Sequence, residues 1–331
     1  MANGDPLLTR VIDESPDRRV RRLAAVVVDG PAGRIRSCFL DADADSQWEI
    51  GSVSKALTGL LVADAVDRGE VSLATTLEQL DPQYAGSAAG TATVRELATH
   101  TSGLPPTLTD PLAMLGFLVF GVDPYQSTSP TRVARGARRQ RLRTRGRYRY
   151  SNLGASVLGH ALAHQAGVDY AELLRARLAE PVGMAATTAL RRDGRAPLRG
   201  WRADGRRSHL WRMPGYLPAG GVVSTAADLT TLMLALLNGS APGPASLSPL
   251  DGAVVGGRPR SRQAMFWIVD TDEASGRRKI WHNGQTGGYA AYLALFPDTD
   301  RAMVVLLDLA DAGRAERIAD RLIRAVVDDS R

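Results

Sequence analysis

The sequence predicts an α/β protein in which strands from both chain ends build one sheet and a mainly helical region is inserted between them. Two observations carry this expectation. Runs rich in Val, Leu, Ile and aromatic residues occur at 23–40 and again at 264–307, bounded by turn residues as strands are. The residues from about 56 to 225 instead repeat apolar side chains at the helical period or break into loops rich in Gly and Pro. The chain of 331 residues, 44% hydrophobic, can form one large domain or two interlocked ones. The expected division is an α/β region of residues 1–55 and 226–331 and a mainly helical insert of 56–225. Ligands are expected in the cleft between them.

The elements follow in order. Strands are expected at Leu23–Asp29 and Ile35–Leu40. A helix over Val53–Arg68 follows from Leu57, Leu60, Leu61 and Val66, with Gly69 placed to stop it. Within the insert, the apolar run Met114–Phe120 reads as a helix buried against the body. An acyl-pocket wall or a dimer contact is the alternative. The arginine-rich run Arg132–Arg149 reads as a solvated face, with anion binding as the alternative. Tyr150 lies on a loop before a helix over Ala155–Gln165, and another helix spans Tyr170–Leu178. A helix after Asp228 reaches Leu237, and Gly239–Gln263, rich in Gly, Pro, Ser and Arg, reads as an exposed loop. Strands are expected at Ala264–Val269, Lys279–Trp281, Ala290–Phe296 and Ala302–Leu307, before a closing helix over Arg314–Val327.

Composition narrows the function. The single cysteine, Cys38, forms no internal disulfide and no multi-cysteine zinc site, and its strand setting makes it a small core residue. The N-terminus has neither a basic start nor an apolar core, so a cytoplasmic location is expected. No apolar run is long enough to span a bilayer. The net charge of +6 permits an anionic partner, but no helix-turn-helix, zinc or RNA-binding signature accompanies the arginines, so nucleic acid is not expected. His160 and His164 share a helix face, yet nothing supplies further ligands; neither metal nor cofactor is expected. His100 reads as a loop residue bonded to its own backbone.

Lysine occurs only at Lys55 and Lys279, so 39 of the 41 basic residues are arginine. Arginine stays charged everywhere, whereas a buried lysine can lose its proton and relay one. Lys55 stands three residues after Ser52, and at that spacing the two share one face of the expected helix. The helix N-terminus also favours negative charge developing at the serine. Alone, this spacing reads as a capping serine beside an exposed lysine.

The order of further segments resolves that ambiguity. Glu49-Ile50-Gly51-Ser52-Val53-Ser54-Lys55, Tyr150-Ser151-Asn152 and His282-Asn283-Gly284 resemble, in sequence order, the three motifs of the serine β-lactamase and penicillin-binding-protein superfamily, nearest its class C branch. Leu97–Leu104 and Gly220–Leu229 are similar to two further family segments, and the likeness spans roughly residues 20–328. The resemblance implies an antiparallel sheet flanked by helices. It implies Ser52 as nucleophile, Lys55 and Tyr150 jointly handling its proton, and Asn152 orienting Lys55 or a substrate amide. It also implies substrate binding along His282, Asn283, Gly284 and Gln285, with the backbone amides of Ser52 and Gln285 as the oxyanion hole. Histidine at 282 departs from the lysine of standard lactamases and removes a permanent positive charge. An ester or amide hydrolase is therefore expected. A transacylase using an amine or alcohol acceptor, or a slow β-lactamase or D-amino acid peptidase, is the alternative. The partner is a small-molecule ester, amide or lactam; the sequence does not set the oligomeric state.

Overall fold

The computed structural model describes residues 1–14, 18–108, 110–189, 199–250, 252, 254–257, 260–271 and 276–329. Its strands are β1 (Asn3–Gly4), β2 (Leu23–Asp29), β3 (Arg34–Leu40), β4 (Gln47–Glu49), β5 (Val223–Thr225), β6 (Ser261–Gln263), β7 (Ile268–Thr271), β8 (Arg278–Gln285), β9 (Ala290–Phe296) and β10 (Arg301–Leu307). Eight of them form one sheet in the order β1-β3-β2-β10-β9-β8-β7-β6, and each neighbouring pair is antiparallel. An N-terminal strand and a C-terminal strand thus lie side by side at the centre, with Val26 opposite Val304. β4 and β5 make a separate pair.

Strands β2, β9 and β10 are apolar almost without interruption because both sheet faces are covered. On one face lie α1 (Pro6–Asp13) and the C-terminal helix. On the other lie α2 (Val53–Asp67) and the rest of the helices: α3 (Leu77–Leu80), α4 (Val94–Ala98), α5 (Pro111–Phe120), α6 (Pro130–Arg138), α7 (Asn152–Gln165), α8 (Tyr170–Leu174), α9 (Glu180–Val182), α10 (Leu217–Gly220) and α11 (Ala226–Leu237). The C-terminal helix, α12 (Ala312–Asp329), buries Ala315, Ile318, Ala319, Leu322 and Val326, a stripe at helical spacing. Helix α2 is buried on all sides, as a core helix without a polar face must be.

The expected mixed α/β architecture with an antiparallel sheet is present, and four local expectations are corrected. Ala264–Val269 is not one strand: the Ala264 amide bonds back to Trp267, while the Met265 and Phe266 amides go to Ser246 and Ala98. Those bonds take the backbone out of the ladder, and the chain turns between β6 and β7. The Gly239–Gln263 segment is not simply an exposed loop. Ala241 and Ser246 are buried, and a side chain at Gly243 would strike the Leu60 carbonyl oxygen at 2.1 Å, so this stretch packs onto α2; its residues 251, 253, 258 and 259 lie outside the described set. The helix expected over Tyr170–Leu178 becomes a π-turn from Arg175. Finally, the apolar run at 114–120 is helical as expected but buries none of its residues.

Candidate active site

Ser52 stands immediately before α2, in helical conformation, and its side chain makes no capping bond. The hydroxyl instead accepts a hydrogen bond from Lys55 Nζ at 3.0 Å. The same ammonium donates to the Ala219 carbonyl at 2.6 Å. Ser54 supports this turn by donating to the Gly51 carbonyl and accepting from the Val222 amide, and Thr58 ties α2 to Pro218. The lysine is fully buried, and burial drives its pKa well below the ordinary lysine range.

Tyr150 approaches from the loop before α7. Its ring lies 4.8 Å from Lys55 Nζ. It is only partly buried, yet desolvation pushes its hydroxyl pKa up, with a hydrogen bond to Ser52 pulling the other way. The helix behind it starts three residues earlier than expected because Ser151 caps it, its Oγ accepting the Gly154 amide at 2.8 Å. That places Asn152 in the first turn, near the Tyr125 hydroxyl, whose pKa burial raises and Asn152 helps to lower. Asn152 Oδ1 is buried and without a partner among the described residues. No bond joins Asn152 to Lys55 among the described residues.

The third segment is a longer strand than expected. β7 stops pairing at Trp281, opposite Ile268, whereas β8 continues to Gln285 against β9. The free edge of His282–Gln285 lies against Ile50–Ser52, an approach only glycine permits. A Cβ on Gly284 would sit 1.9 Å from the Ile50 carbonyl oxygen and 2.9 Å from the Ser52 nitrogen; one on Gly51 would sit 2.6 Å from the Gln285 nitrogen. The amides of Val53, Ser54 and Lys55 are taken by the carbonyls of Ile50, Gly51 and Ser52. The Ser52 amide makes no such bond among the described residues.

Strand alternation separates the side chains of this edge. His282 shares a face with Ile280 and Gly284, toward α2; it is buried, and its Nδ1 lies 2.5 Å from the Asn283 carbonyl oxygen. Burial first, and then Lys55, lower its pKa to about 3, so the ring is neutral. Asn283 and Gln285 share the opposite face with Trp281, and Gln285 Oε1 accepts the Ala312 amide at the start of α12. The Asn283 side chain is therefore not brought to the serine, and Gln285 offers this edge only its backbone.

His100 was missed as a neighbour of the site. It is buried with φ +59°, its Nδ1 accepts the Ser151 amide in place of its own backbone, and its ring packs against that of Tyr150, centroids 4.6 Å apart and planes tilted by 41°. A lone histidine in a loop carries no sequence signal for that contact. Cys38 is a core residue whose thiol pKa burial raises to about 12. His160 bonds the Gly215 carbonyl, and His164 lies 3.8 Å from Asp81.

Residues 8–328 match the protein family described as Beta-lactamase. Penicillin-binding protein 4 of Amycolatopsis lactamdurans is 27% identical over 92% of this chain and 84% of its own length. A beta-lactamase-like protein of Homo sapiens is 35% identical over 49% of this chain and 34% of its own. The D-alanyl-D-alanine-carboxypeptidase/endopeptidase AmpH of Escherichia coli K12 is 30% identical over 50% and 44%. The match thus spans less than half of the last two relatives. In fold, a class C beta-lactamase from Rhodobacter sphaeroides superposes with a TM-score of 0.77 at 24% identity, covering 98% of this chain and 97% of that one. A beta-lactamase from Sulfitobacter sp. EE-36 gives 0.76 at 21%, covering 98% and 95%.

Proposed function

Because this chain belongs to the β-lactamase family of serine hydrolases, we propose that it forms an acyl-enzyme at Ser52 on an ester or amide substrate. The observation that carries the reading is the 3.0 Å contact between the Ser52 hydroxyl and a buried lysine whose pKa is depressed. A lysine held toward its neutral form can take the serine proton, which a surface lysine cannot. Ser52 Oγ bonds to the acyl carbon, and its proton passes to the Lys55 and Tyr150 pair. The pair then protonates the departing alcohol or amine. Lys55 and Tyr150 interact too closely for the proton to be assigned to one of them. Water, activated by the same pair, releases the acid.

Two backbone amides, Ser52 and Gln285, are proposed to hold the oxyanion. The close approach of Gly284 to the Ser52 nitrogen supports this, and one such donor is worth about 10²–10³ in rate. The proposed walls of the cleft are the α/β region of 1–55 and 226–331 and the insert of 56–225. An ester or simple amide is favoured over a β-lactam by His282: a neutral ring attracts a substrate carboxylate less than an ammonium does. The peptidase named among the relatives keeps a peptide-like amide within this class.

The test is intact-mass spectrometry after brief exposure to p-nitrophenyl butyrate and, separately, to a penicillin. The expected result is a butyryl adduct that is absent in Ser52→Ala, and a slower penicillin adduct. An adduct that persists in Ser52→Ala, or no adduct and no turnover with either compound, would overturn the assignment.

A further inference from the structure

Helix α5 is apolar around its whole circumference and faces solvent. Leu112, Met114, Leu115, Leu118, Val119 and Phe120 are all exposed, Leu112 by 80% and Phe120 by 72%. At 100° per residue these positions spread around the axis and do not form one stripe. Phe117 turns inward, edge-on to Trp211 at 5.6 Å. No charged residue interrupts the chain between Asp110 and Asp123.

A basic collar surrounds the C-terminal end of this helix. Residues 199–212 carry five arginines and one acid, Asp204. Arg202 donates to the Phe117 and Leu118 carbonyls at 3.0 and 3.1 Å, and Arg206 to those of Val119 and Leu118 at 3.3 and 3.4 Å. These bonds close the helix end and hold the collar against it. Beside them a cavity of about 530 Å³ is lined by Arg199, Arg207, Arg212, Ser208, His209 and Asp123. Three guanidinium groups thus face one carboxylate, Asp123, which accepts the amides of Tyr125, Arg212 and Met213, and the lining is positive on balance.

We propose that α5 is an interfacial anchor that enters the acyl region of an anionic bilayer, with Arg199, Arg207 and Arg212 on its headgroup phosphates. A second protein copy would cover one side of the helix, whereas hydrocarbon covers every exposed side. A cationic rim around an apolar element is the arrangement that anionic lipid attracts. The anchor is independent of the acyl-transfer reading, and its test does not use turnover.

The full chain is floated with vesicles of equal phosphatidylglycerol and phosphatidylcholine, and with phosphatidylcholine alone. Binding to the anionic vesicles is expected, falling as salt rises, and at least about tenfold weaker without phosphatidylglycerol. The pair Leu115→Glu and Leu118→Glu, both at exposed positions, is expected to lower that binding about tenfold or more with unchanged circular dichroism. Arg207→Ala with Arg212→Ala is expected to lower it about fivefold per arginine, a second test that leaves the helix untouched. Ser52→Ala is expected to bind as the parent does. No flotation with anionic vesicles overturns the proposal, as does parental binding by either pair. A dimer that the Glu pair dissociates, with no vesicle binding, would also overturn it and place a second copy on α5.

Discussion

Lys55 and His282 are both buried at the site, and Lys55 disfavours a proton on the histidine. Desolvation alone depresses the lysine and is the first cause for the histidine, which is why the ring remains neutral next to a site built around a lysine. This has a consequence for stability. Above pH 6.5 the ring is neutral in the folded and the unfolded chain alike. As pH falls, the unfolded chain binds a proton from about 6.5 downward, while the folded chain refuses it until about 3. The contribution is therefore fully present above pH 6.5 and is lost as pH falls toward 3, at about 1.4 kcal/mol per pH unit, or about 2 kcal/mol by pH 5. Urea unfolding at pH 7, 6 and 5 should show His282→Gln losing less stability than the parent, by about one proton's slope. Parallel profiles would mean that the ring is charged in the folded protein.

The strand β8 does what no single residue could. It outruns β7 by four residues, and the free edge so produced lies against the turn that begins α2. Only the absence of a side chain at Gly284 permits this, since the nearest atom, 1.9 Å from a built Cβ, is a backbone oxygen that cannot rotate away. Gly284→Ala should push the edge off Ser52 and cut turnover of an activated ester about 10²-fold or more. Circular dichroism should meanwhile stay close to the parent's. Parental turnover in that variant would separate the strand edge from the chemistry. At this scale the sequence was uneven as a guide. Ala290–Phe296 and Leu23–Asp29 were legible to the residue, because a strand buried on both faces is an unbroken apolar run. The turn at 264–267 was not, because its amides are diverted to Ser246 and Ala98, far away in sequence.

The two chain ends are joined at the level of the whole molecule. β2 pairs with β10, and Arg36, buried on β3, bridges Asp5 at the start of α1 and Asp329 in α12. Removing the guanidinium leaves the largely buried Asp5 carboxylate without its counter-charge, held only by the Leu7 and Leu8 amides that it caps. Arg36→Ala should therefore cost about 3 kcal/mol in urea unfolding, and a loss under 1 kcal/mol would assign the join to the strands alone. By itself the sequence determined the α/β class and the mixed origin of the sheet. Those two are written in local period; the Ser52 and Lys55 pairing with the Tyr150 and His282 segments was legible only through their resemblance, in sequence order, to the family's three motifs. The tertiary structure alone decided that Lys55 is desolvated and that His100 lies behind Tyr150. It decided too that the Asn283 side chain faces away from Ser52 and that α5 stands uncovered. Burial and strand facing depend on what the rest of the chain brings alongside, and no local pattern of residues encodes that.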